Sequence, residues 1–283
     1  MNGIGHAWLW TTSQEQTGRF AGFDLEESEN LEAVLLAHQE LIRPVEPRPA
    51  APGLVPFSSA WFDELEQKRY QRHGWWLPSA LEFDRHGGER ILLLGAGLGN
   101  DAIRYAREGA RPVVAVCPYD PILRLQQNLS RYNWSIDIAY SDDETTWPFP
   151  PASFDVVCWN ALYSPWQLQV YRLTAVRHLL KPGGKLICLT PAYYDVAYWH
   201  DLLLPLQRMY GKRPLDPTTA PKWTARQLRH LFADFTDLSI TRRHLRRSEL
   251  PHPWRLLPLS FLERLMGRVY VVKAVKPIVA NSH

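Results

Sequence analysis

Ile91-Leu92-Leu93-Leu94 runs without a polar break into Gly95-Ala96-Gly97-Leu98-Gly99. Few folds accept that sequence. Four apolar residues in a row suit a strand covered on both faces. Three glycines at alternate positions let the backbone turn sharply and lie close to a ligand. Asn100-Asp101-Ala102-Ile103-Arg104-Tyr105-Ala106 then has helical periodicity, Pro112 to Cys117 is a second apolar strand, and a second helix begins near Asp120-Pro121. Strand, glycine loop, helix, strand is a nucleotide-binding βαβ unit, in which free amides at the helix start meet the ligand's polar groups.

The glycine spacing separates cofactor classes. A dinucleotide fingerprint requires glycine at the sixth position, which here is Asn100. Alternate glycines followed by a polar residue resemble instead the class I S-adenosylmethionine-dependent methyltransferases. Two later stretches resemble the same family in the same order. Trp147-Pro148-Phe149-Pro150-Pro151-Ala152-Ser153-Phe154-Asp155-Val156-Val157 is similar to the family's junction of third and fourth strands, and Leu179-Leu180-Lys181-Pro182-Gly183-Gly184 to its turn into the fifth. Gly267 to Pro277 resembles the ending of its last hairpin. The resemblance implies an α/β fold: a Rossmann-like, seven-stranded, mostly parallel sheet with helices on both faces and a C-terminal antiparallel hairpin.

Around this core the sequence suggests a domain over 58–278 preceded by an extension, residues 1–57. Within the extension, Leu31 to Ile42 is spaced as a short amphipathic helix, and Pro44 to Pro56 holds five prolines in an extended linker. Ser58 or Ser59 caps a helix running to about Arg72, and Trp75 to Phe83 leads into the first strand. Ser135 to Tyr140, Leu238 to His244 and Val269 to Val275 read as strands, and Thr224 starts a helix over Ala225 to Phe232. Residues 192–222, rich in Tyr and Pro, interrupt the pattern where the resembled family inserts its substrate-recognising region. The connection Arg242 to Arg264 is basic and proline-rich.

In the pocket that the resemblance implies, Gly95, Ala96, Gly97 and Leu98 approach the methionine part of S-adenosylmethionine, with Asn100 or Asp101 at its amino or carboxylate group. Asp143 stands where the family binds the adenine amino group, and Asn160 faces the transferred methyl. A covering helix would bring Tyr70, Arg72 and Trp76 near the cofactor; plain packing of these residues against the sheet is the alternative, and the favoured one. Two family acids are replaced. The first-strand acid is Leu93, and the acid at the end of the second strand, which accepts the ribose hydroxyls, is Cys117. A thiol accepts hydrogen bonds poorly, but Asp120 lies close enough in sequence to reach back. Methyl transfer from a sulfonium demands an in-line nucleophile shielded from water more than it demands a base; Tyr163, Tyr194 and His200 are the candidates for one.

A formal charge of +3 with 22% charged residues is a weaker basic excess than nucleic-acid binding calls for. Cys117, Cys158 and Cys188 all fall in or at the end of apolar strands, as buried reduced thiols do, and no metal site is suggested. No signal-like start follows Met1 and no apolar run is long enough to span a bilayer, so a cytoplasmic protein is expected. The expectation is an enzyme that transfers a methyl group to a small-molecule or lipid-like acceptor, with residues 1–57 free to dock a protein partner. A second reading, founded on Leu93 and Cys117, is a methyltransferase-like scaffold that has lost its cofactor.

Overall fold

A computed structural model describes residues 9–10, 54–117, 120–140, 147–162, 167–203, 221–250 and 252–278. The Leu31–Ile42 helix and most of the proline linker lie outside these residues, as do Asp143, Tyr163 and the later part of the 192–222 segment.

Seven strands form the sheet expected from the sequence: β1 (Arg90–Leu94), β2 (Arg111–Val116), β3 (Asp137–Tyr140), β4 (Phe154–Asn160), β5 (Leu180–Pro191), β6 (Thr236–Arg243) and β7 (Val269–Val275). Their order is β3-β2-β1-β4-β5-β7-β6. The first five are parallel, and β7 runs antiparallel to both β5 and β6. A two-residue strand, Leu9–Trp10, adds antiparallel to the outer edge of β3. The chain reverses its direction of winding between β1 and β4, and ligands of such sheets bind at the carboxyl ends of the strands beside that reversal.

Alternation along the strands builds two cores. Ile91, Leu93, Val114, Cys158 and Ile187 face one side, while Leu92, Leu94, Val113, Trp159 and Cys188 face the other. Helices α3 (Asn100–Arg107) and α4 (Ile122–Leu129) cover the first side through Ile103, Tyr105, Leu125 and Leu129. Helices α5 (Val170–Leu179) and α7 (Ala225–Leu231) cover the second through Leu173, Val176 and Leu228. All three cysteines are buried.

Before the sheet, Ser58 caps α1 (Ser59–Gln67), its hydroxyl accepting from the Trp61 amide at 3.3 Å. The helix then widens into a π-helical segment, Lys68–His73. The lead-in to β1 contains a short helix, α2 (Leu77–Leu81), where Pro78 fits a helix start that lacks amide partners anyway. Thr224 and Gln227 exchange capping bonds at the start of α7. The C-terminal region adds α6 (Val196–Leu203) and α8 (Leu259–Met266).

Candidate cofactor site

The loop between β1 and α3 is fixed from two sides. Gly95, Gly97 and Gly99 all hold left-handed backbone, at φ 69°, 56° and 82°. At Gly99 a Cβ would also lie 2.6 Å from Leu125 Cδ1 and would have to push that side chain aside; the left-handed backbone is what favours glycine there. From α4, Asn128 Nδ2 donates to the Leu98 carbonyl at 2.7 Å and to Asn100 Oδ1 at 2.8 Å. Leu98 packs with Trp61, Phe62 and Leu65, which places α1 over the loop. The Asn100 side chain is buried at the start of α3, and its Nδ2 has no hydrogen-bond partner among the described residues. An orphaned donor there fits an oxygen acceptor on a ligand.

Asp101, beside it, is committed internally. Arg69 donates to both of its carboxylate oxygens, Nε at 3.0 Å and NH2 at 2.5 Å, and the Tyr70 hydroxyl donates at 2.6 Å. All three residues are buried. Burial, and then the Asp101 charge, push the Tyr70 phenol well above its ordinary pKa, so it remains a donor. Arg69 is the residue that sequence reasoning missed. No local pattern marks it, since its partner is thirty-two positions away. Arg72, expected nearby, instead pairs with Glu64 at 2.9 Å, exposed to solvent. Arg69 continues the buried face of Phe62 and Leu65, and the wider turn of the π segment then changes the phase, so that Arg72 turns out to solvent. Trp76 is buried and meets His244 edge-on at 6.1 Å.

At the end of β2, Cys117 is fully buried. Its amide donates to Asp120 Oδ2 at 2.8 Å, and its carbonyl accepts from the Asp120 amide at 2.9 Å. A buried carboxylate therefore stands at the carboxyl end of the second strand, supplied from three residues downstream. Leu93 is explained by its surroundings. It lies between Val114 and Cys158 in the strand register, inside the apolar core, where a carboxylate would have no partner. Burial raises the Cys158 thiol far above its usual pKa, which keeps it a neutral core residue.

Asn160 closes β4, buried, with Oδ1 accepting from the Leu162 amide at 3.4 Å. The ends of β1, β2 and β4 thus bring Gly95 to Leu98, Asn100, Cys117, Asp120 and Asn160 to one edge of the sheet. Tyr194 lies past the end of β5, partly exposed, its ring 5.1 Å from Tyr193 and 4.9 Å from Tyr198. Asp143, Tyr163 and the His200 side chain lie outside the described residues.

Residues 91–184 match the family model of a methyltransferase domain. None of the proteins of curated function matches the chain by sequence. Among solved structures, the [4+2]-cyclase SpnF is 16% identical, with a TM-score of 0.53 over 89% of this chain and 94% of its own. A chain from the complex between the Haloferax volcanii Trm112 methyltransferase activator and a methyltransferase is 18% identical, with a TM-score of 0.50 over 77% and 94%. At such identities the structural likeness speaks for the fold.

Proposed function

We propose that the chain, whose residues 91–184 match a methyltransferase domain and whose sheet has the order of that fold, binds S-adenosylmethionine on the loop opening at Gly95 and transfers its methyl group to a small-molecule or lipid-like acceptor. The observation that carries this reading is the Asp120 carboxylate. It puts an anionic acceptor at the end of β2, where Cys117 alone would leave ribose hydroxyls without one. Gly95, Ala96, Gly97 and Leu98 would lie along the methionine part, and the orphaned Asn100 amide would donate to its carboxylate. Cys117 would border the ribose, Asp143 the adenine, and Asn160 the transferred methyl.

Bound there, the cofactor supplies an activated sulfonium methyl. The chain's own task is then to hold a nucleophile in line and keep water out. Residues 58–278 form the proposed catalytic domain, 192–222 its acceptor side, and 1–57 an extension suited to a protein partner. Tyr163, Tyr194 and His200 remain the candidates for a proton acceptor.

The competing reading, a scaffold without cofactor, draws support from the Arg69–Asp101 pair, which engages an acid of the loop helix in an internal contact. Incubation with S-adenosylmethionine and a panel of small and lipid-like acceptors separates the two. Acceptor-dependent release of S-adenosylhomocysteine is the expected result. No release with any acceptor, together with no cofactor binding, would leave the scaffold.

A further inference from the structure

Charge is unevenly distributed along the chain. Residues 242–268 contain seven arginines and two glutamates, a net of +5, whereas the whole chain carries +3. The same stretch exposes apolar side chains that the fold could have buried. Leu262 and Met266 of α8 pack inward with Val196, Leu245 and Leu250. Its other side shows Phe261 at 54% and Leu265 at 43% exposure, and the preceding turn shows Leu256 at 89% and Leu257 at 43%. Positions 261 and 265 are four apart and so share one helical row. Arg264, exposed, lies on the same side of the helix, and Arg247, also exposed, donates to the Arg255 carbonyl at 2.6 Å.

This surface extends to a second exposed group. Arg242 donates to the Tyr194 carbonyl at 3.1 Å and to the Leu265 carbonyl, tying Tyr193 and Tyr194 to the end of α8. Those tyrosines follow the carboxyl end of β5, on the sheet edge that also carries the glycine loop.

We propose that the face formed by Leu256, Leu257, Phe261 and Leu265, with its arginines and Tyr193–Tyr194, docks on the surface of an anionic lipid bilayer. Protruding leucines and a phenylalanine insert at the acyl boundary, tyrosines sit at headgroup depth, and guanidinium groups pair with lipid phosphates. A side chain 89% exposed projects into its surroundings instead of lining a groove, and the net positive charge selects an anionic partner. The inference rests on exposure and charge, independently of methyl transfer, and requires no cofactor to test.

The experiment is co-sedimentation of the full chain with phosphatidylcholine vesicles and with vesicles containing phosphatidylserine. The expected result is binding to the second only, weakened by salt. Leu256→Asp combined with Phe261→Asp should lower the partition coefficient at least about tenfold, and Arg264→Gln about fivefold. Leu123→Asp, which alters a leucine 65% exposed on α4, should bind as the unaltered chain does. Leu256→Asp alone, at the most exposed of these positions, tests the same face with the least disturbance to folding and should also weaken binding. Failure to bind either vesicle, or unchanged binding by the double variant, would overturn the proposal. So would a dimer in sedimentation velocity that the double variant dissociates, since the face would then belong to a second copy.

Discussion

The glycine-loop half of the protein and its C-terminal segment use arginine and apolar side chains in opposite ways. Around the loop, Arg69 is buried against Asp101, and Leu98 is covered by Trp61 and Phe62. In 242–268, exposed arginines accompany leucines left in solvent. The first arrangement fixes a backbone so that a ligand can meet it. The second leaves a surface whose complement must come from elsewhere. One residue type therefore serves rigidity where it is enclosed and recognition where it is not, and burial decides which.

The comparison breaks most visibly at the enclosed pair. Arg69→Met should cost about 3–5 kcal/mol in denaturant unfolding, because it leaves Asp101 charged and buried without its partner. The double variant Arg69→Met/Asp101→Leu should recover a substantial part of that loss. A single variant as stable as the unaltered chain would mean that the pair is not enclosed in solution.

Next in size is Gly99→Ala. The left-handed backbone and the Leu125 contact both oppose a methyl group, and the expected loss is about 1–3 kcal/mol. Cofactor affinity should fall with it, as the loop shifts.

Glu82 gives a pH-dependent test. Burial alone would raise its pKa, but Lys185 and Lys273 outweigh it and hold the carboxyl below its usual value. A depressed folded-state pKa means stability that is present above the ordinary carboxylate range and lost as pH falls through it. Glu82→Gln should cost about 1–2 kcal/mol at neutral pH, and its deficit relative to the unaltered chain should shrink in acid. A deficit constant with pH would remove the charge from the explanation. The smallest effect belongs to the exposed face: Phe261→Ser should change unfolding free energy by no more than about 0.5 kcal/mol.

Much of the framework was legible in the sequence because it is written in local pattern. The run Ile91–Leu94, the alternating glycines and the Pro-Gly-Gly turn each specify their own backbone, and strand β7 begins and ends at the expected residues, Val269 and Val275. The site was legible only in part. That Asp120 reaches back to the Cys117 amide depends on a turn whose geometry no residue pattern dictates. Arg69 stayed hidden because its partner lies thirty-two positions away, beyond any local pattern, whereas a helical period of 3.6 extrapolated through Lys68–His73 misplaces Arg72 once the helix widens. Ser58 and Ser59 were equivalent as caps by composition, and only the approach of the Trp61 amide distinguishes them.

The central claim is that a sulfonium nucleotide binds at the Gly95 loop with Asp120 standing in for the replaced acid. Calorimetric titration with S-adenosylhomocysteine, on the full chain and on Asp120→Asn, tests it most directly. The account predicts micromolar binding, weakened at least about tenfold by the substitution through loss of a charge-assisted hydrogen bond. No heat of binding at millimolar ligand, or an affinity indifferent to Asp120→Asn, would contradict it.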